Sequence, residues 1–69
     1  MHITPAERQV IDCVAGDLTY EEAAHYLGKA VQTIKNQMLN ARRRNGLAST
    51  SRLVAMYASE HGLPPSYKE

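Results

Sequence analysis

Apolar residues recur at spacings of three and four in four separate blocks of the chain, three of them opening at a hydroxyl side chain and all four closing near a glycine. Such a period belongs to amphipathic helices, not to strands. In ITPAERQVIDCVAG, Thr4 stands as N-cap, Pro5 at the first helical position and Glu7 three residues after the cap, so a capping box predicts a first helix over residues 5–15. Its inward stripe is Val10, Ile11 and Val14, with Cys13 beside it and Ile3 setting the angle at which the chain arrives; Gly16 and Asp17 break the pattern. LTYEEAAHYLG repeats the device with Thr19 and Glu22, places Ala23, Ala24 and Leu27 on one side, and stops at Gly28. This predicts a second helix of about two turns.

After a connection of two or three residues comes KAVQTIKNQMLNARRRNG, in which Val31, Ile34, Met38 and Ala41 form a buried stripe. The opposite face of this third helix (about residues 30–45) presents Gln32, Lys35, Asn36, Leu39, Asn40 and Arg43, with Arg42 and Arg44 flanking it where positive charge complements the helix dipole. Asn45 and Gly46 end it. A fourth helix is expected from Ser51 or Arg52 to His61, capped by Ser51 or Thr50 and ended by Gly62, with an unusually wide apolar surface of Leu53, Val54, Met56 and Tyr57. The tail LPPSYKE, with two prolines, is expected to be irregular. The expected architecture is therefore all-α: a compact four-helix domain over residues 1–63 with a short tail, 64–69.

Composition narrows the class. A chain of 69 residues holds one small core. The single Cys13 excludes an internal disulfide and favours a reducing compartment, and no apolar run reaches bilayer length, so a cytoplasmic protein is expected with no membrane partner. His2, His25 and His61 are scattered and lack a second cysteine or a carboxylate at metal spacing, so no metal site is indicated; no nucleophile motif or glycine-rich phosphate loop is present either. A non-enzyme without cofactors follows. Net charge is only +1, but it is segregated: Glu7, Asp12, Asp17, Glu21 and Glu22 face only Arg8 in residues 1–22, whereas residues 23–59 hold Lys29, Lys35, Arg42, Arg43, Arg44 and Arg52 and no acid. That asymmetry steers an anionic partner to one side.

Two short helices joined by a tight turn, the second bearing amides and cations outward, are the parts of a helix-turn-helix DNA reader. Asparagine and glutamine pair with adenine, lysine and arginine with guanine, and an apolar side chain such as Leu39 with a thymine methyl. The Arg42, Arg43, Arg44 run reads as phosphate-binding, because the acid-free region extends far beyond it.

ITPAERQVI, LTYEEAAHYLG, TIKNQMLNARRRNGL and SRLVAMYASEHGL, in that order and spacing, resemble the LuxR-type (GerE-like) helix-turn-helix domain of bacterial transcription regulators. The likeness runs without a gap from Ile3 to about Ala58 and allows one extra residue before Gly62. It implies that helices 2 and 3 bind double-stranded DNA, that helix 3 enters the major groove, and that helix 4 makes a homodimer contact through Leu53, Val54, Met56 and Tyr57. By position, Lys35, Asn36 and Leu39 are implied to face bases, with Thr33, Gln37, Asn40 and Arg43 nearer the phosphates. The chain departs from the family pattern at Lys29 and Ala30, where an apolar residue and a serine cap are usual, at Leu39, where a polar residue is usual, and at Asn45, where leucine is usual. Because Met1 lies three residues before the first cap, the chain is expected to be either a stand-alone domain, as in GerE-like spore regulators, or one excised from a longer regulator. The alternative function is a helix-turn-helix adaptor that binds RNA polymerase, a sigma factor or another regulator; a weaker one is a sigma-factor fragment.

Overall fold

A computed structural model describes residues 1–62 and 64–66; the expected domain end at Leu63 and the last three residues of the tail, Tyr67, Lys68 and Glu69, lie outside the described residues. The chain forms four helices, α1 (Pro5–Ala15), α2 (Tyr20–Leu27), α3 (Val31–Arg44) and α4 (Thr50–His61), and no strand occurs among the described residues. The all-α, four-helix expectation therefore holds, with boundaries set by local chemistry.

Both expected capping boxes are present. Thr4 Oγ1 accepts from the Glu7 amide at 3.1 Å while Glu7 Oε1 accepts from the Thr4 amide at 3.0 Å, and Thr19 with Glu22 repeats the exchange at 3.1 and 2.8 Å. Each cap contributes about 1 kcal/mol by satisfying amides that the helix itself leaves open. The start of α4 corrects the expectation by one residue. Ser49, in extended backbone, caps the helix by accepting from the Arg52 amide at 3.2 Å, so Thr50 is helical and Ser51 is exposed on the first turn. Three consecutive hydroxyl residues, Ser49, Thr50 and Ser51, offer nearly equal caps, and the helix begins after the first of them. By contrast Ala30, at the head of α3, provides no side-chain cap.

Helix endings also follow from backbone geometry. α2 and α3 close in paired bonds around left-handed glycines: Lys29 N–H reaches Ala24 O at 2.9 Å past Gly28, and Leu47 N–H reaches Arg42 O at 2.9 Å past Gly46. α1 ends in the same way, with Leu18 N–H on Cys13 O, but its left-handed residue is Asp17 at φ 78° and not Gly16, which is buried in ordinary backbone. An aspartate tolerates that conformation better than most side chains.

α1 and α3 pack on each other, and α2 and α4 both pack on this pair. Their shared core contains Val10, Ile11, Cys13, Ala23, Ala24, Ile34, Met38, Ala41, Leu53 and Tyr57. On α2 the only buried residues are Ala23 and Ala24, so its axis lies close to its neighbours, where a larger side chain would force the helices apart at about 1–3 kcal/mol. The Cα radius of gyration, 10.9 Å, matches the value of about 11 Å for a fully packed domain of this length.

The wide apolar face expected on α4 splits in two. Leu53 and Tyr57 are 0% and 2% exposed and belong to the core, which removes them from the expected dimer surface, whereas Val54 is half-buried and Met56 is exposed. Tyr57 turns inward because its polar end is satisfied there: its hydroxyl donates to Asp12 and accepts from Arg8 Nε at 3.1 Å, joining α4 to two successive turns of α1. Burial and the bond to Asp12 hold this phenol above its ordinary pKa, although the Arg8 contact pulls the other way. Removing only the hydroxyl, in Tyr57→Phe, leaves Asp12 and Arg8 without their bridge and should cost about 1–2 kcal/mol. Thermal unfolding should shift down by several degrees; an unchanged Tm would show that the bridge is not stabilising.

Candidate nucleic-acid interface

The turn between α2 and α3 comprises Gly28, Lys29 and Ala30, and Gly28 adopts φ 67°, so the chain reverses without a longer loop. Ile34 and Ala41 are fully buried and Met38 nearly so. By helical period, the residues between them must face away. Gln32, Thr33, Lys35, Asn36, Asn40 and Arg43 are all exposed; Leu39 is half-buried between Lys35 and Arg43, and Gln37 is half-buried at the margin of that face. The structure thus brings Lys35, Asn36, Asn40 and Arg43 onto one open surface of a 14-residue helix, about 21 Å long. No acid occurs on α3.

Side-chain commitments distinguish these residues. Gln32 Nε2 donates to Asn36 Oδ1 at 3.0 Å, one turn along the same face. The Oε1 atom of Gln37 is shut from solvent and has no hydrogen-bond partner among the described residues. A phosphate has no proton to offer that oxygen, so only the Gln37 amide nitrogen suits the phosphate contact expected of it. Lys35 and Arg43 make no ion pair or hydrogen bond through their side chains among the described residues.

The three consecutive arginines do three different things. Arg42 Nη1 donates to Leu47 O at 3.4 Å and Ala48 O at 2.9 Å, tying the loop before α4 back onto α3. Arg44 engages Glu7 through both guanidinium nitrogens, with Nη2 to Oε2 at 3.0 Å, and also reaches His2 O at 3.5 Å. Arg43 alone of the three is exposed and uncommitted among the described residues. The three arginines expected to act together on phosphate are therefore not brought together: Arg42 and Arg44 find carbonyl and carboxylate acceptors inside the domain, and only Arg43 is left uncommitted among the described residues.

Asn45 has a defined task. Its side chain imitates a peptide group: Oδ1 accepts from the His2 amide at 2.7 Å, and Nδ2 donates to His2 O at 2.9 Å and to Ala41 O at 2.8 Å. The segment before α1 is therefore fastened to the end of α3. Nothing in the local sequence signals this, since the partners lie 43 residues apart.

Among the described residues no cluster of three or more His, Cys, Asp or Glu side chains could hold a metal ion, and no helix is long and apolar enough to cross a membrane. No protein-family model matches the chain, and a search of curated proteins finds no match.

The Glu7–Arg44 pair makes a pH dependence. The Arg44 guanidinium lowers the pKa of the Glu7 carboxyl, outweighing its burial, and the Thr4 amide lowers it further. A carboxyl whose folded pKa is depressed contributes stability that is present above its ordinary value of about 4.3 and is lost as pH falls through the lowered value. Glu7→Gln retains a side chain able to cap Thr4 but cannot form the ion pair. It should lower Tm at neutral pH and flatten the loss of stability on acidification, so that the two melting profiles converge at acid pH. Parallel profiles across that range would show that the pair carries no net stability.

Proposed function

We propose that this chain is a helix-turn-helix, LuxR-type DNA-binding transcription regulator of the bacterial or phage cytoplasm, which reads double-stranded DNA with α3. The observation that supports this reading best is the two-sidedness of α3. One stripe anchors the helix in the core, and the other is an open, acid-free face of amides with two uncommitted cations, following a three-residue turn from α2. The B-DNA major groove, about 12 Å wide, admits such a helix. Side chains of this kind complement base edges, and an acid there would be repelled by the flanking phosphates.

In this reading Lys35, Asn36 and Leu39 meet base edges, and Thr33, Gln37, Asn40 and Arg43 hold the sugar–phosphate backbone. Glu7 does not oppose the DNA, since its charge is already paired with Arg44. A second copy docks against the flank of α4 that carries Val54, beside Ala55 and Ala58, with Met56 on the opposite flank of the helix; such a dimer places two inverted half-sites about one helical turn apart. RNA polymerase is then the natural further partner of the bound dimer.

Binding to short duplexes at several salt concentrations tests the reading. Arg43→Ala should weaken every duplex similarly and flatten the slope of log affinity against log salt by about 0.9. Lys35→Ala and Asn36→Ala should each cost about 1–3 kcal/mol on the preferred site and little on a scrambled one. Equal losses on both duplexes would remove the two residues from the base-reading role. Absence of any salt-sensitive DNA binding, with co-purification of polymerase, would favour the adaptor instead.

A further inference from the structure

Leu39 is the apolar exception on the outer face of α3. Every other half-buried leucine, isoleucine, valine, methionine or tyrosine among the described residues packs against the core; Leu39 does not. Lys35 stands one turn before it and Arg43 one turn after, on the same face, both without an ion pair or side-chain hydrogen bond among the described residues. A protein-docking patch gathers several apolar side chains, but the exposed large ones, Tyr26 and Met56, lie on α2 and α4. A single leucine framed by two cations instead fits an anionic, polar surface that has one small apolar feature. The major groove is such a surface: its base edges present donors and acceptors, and the one methyl group among them is that on C5 of thymine.

We propose, building on the DNA-reading role of α3, that Leu39 reads the pyrimidine 5-methyl group, so that the methylation state of a site sets affinity as well as its sequence. 5-Methylcytosine carries the same methyl on the same edge of the base and takes the place of thymine there in part. Unmethylated cytosine does not, because it offers a bare C5–H beside an N4 amine whose proton leucine cannot accept. Deoxyuracil differs from thymine by the methyl alone. Burial of one methyl-sized group changes affinity by about fourfold, which is the size of effect to be sought at a single position.

The test begins with selection of a preferred site from a random duplex pool by the wild-type chain. Each thymine of that site is then replaced singly by deoxyuracil, cytosine and 5-methylcytosine, and affinities are measured for wild type, Leu39→Met and Leu39→Asn. Deoxyuracil should weaken wild-type binding about fourfold at one position of a half-site and by less than about 1.5-fold elsewhere. At that same position 5-methylcytosine should bind about fourfold more tightly than cytosine. Leu39→Met, apolar and of similar volume, should keep both ratios. Leu39→Asn, similar in shape but polar, should bring both to within about 1.5-fold; Leu39→Ser serves by the same ratios if the asparagine variant binds too weakly. All these chains should fold, since Leu39 lies outside the core. Uniform tolerance of deoxyuracil by wild type, or methyl sensitivity that survives in the polar variants, would overturn this inference alone. Failure of the wild type to bind any duplex would overturn both it and the DNA-reading role.

Discussion

Glu7 holds the beginning of α1 and the end of α3 with one carboxylate. Its Oε1 closes the capping box on Thr4, and both oxygens engage the guanidinium of Arg44, 37 residues later. The carboxylate is almost wholly buried, so it needs those partners: a desolvated charge stripped of them would be far more costly than the pair is beneficial. Around this link the neighbouring contacts fall into place. Asn45 fastens the backbone of His2 one residue beyond Arg44, and Arg42 fastens the loop leading to α4. The last turn of α3 is thus bound to the segment before α1 and to the loop before α4.

This arrangement explains why a run of three arginines yields a single outward cation. Successive residues on a helix point about 100° apart, so Arg42, Arg43 and Arg44 cannot share one target. Two of them brace the scaffold and Arg43, between them, projects to solvent on the same surface as Lys35. Rigidity at the base of α3 and openness along its outer face are two results of the same local sequence. The small residues Ala23, Ala24 and Ala41 complement this by letting the helices approach closely, which seats α3 firmly against α2.

Much of the fold was legible because it is governed by short-range chemistry. Thr4 with Glu7, Thr19 with Glu22, and the glycines at 28 and 46 act within four or five residues, and the stripe of Val31, Ile34, Met38 and Ala41 needs only the helical period. The exposed face of α3 was legible for the same reason. What the sequence concealed depends on distant partners. Arg44 could not be assigned to Glu7, nor Asn45 to His2, from spacing. Leu53 and Tyr57 could not be separated from Val54 and Met56 until the hydroxyl of Tyr57 was seen to find Asp12 and Arg8. The cap of α4 was ambiguous because Ser49, Thr50 and Ser51 are chemically alike. Gln32 was legible as part of the outer face, but its bond to Asn36 depends on side-chain rotamers.

If α3 is the surface that meets DNA, a duplex should be felt there and not at the braces that hold the helix in place. Titrating isotopically labelled protein with a short duplex at low salt, and following backbone amides together with the arginine Nε–H signals, makes this comparison in one experiment. Perturbation should concentrate at Gln32, Lys35, Asn36, Asn40 and at the Arg43 guanidinium, while the Arg44 guanidinium, engaged with Glu7, stays as it was. Changes confined to α1 and α4, or no change at any duplex concentration, would contradict the role of α3.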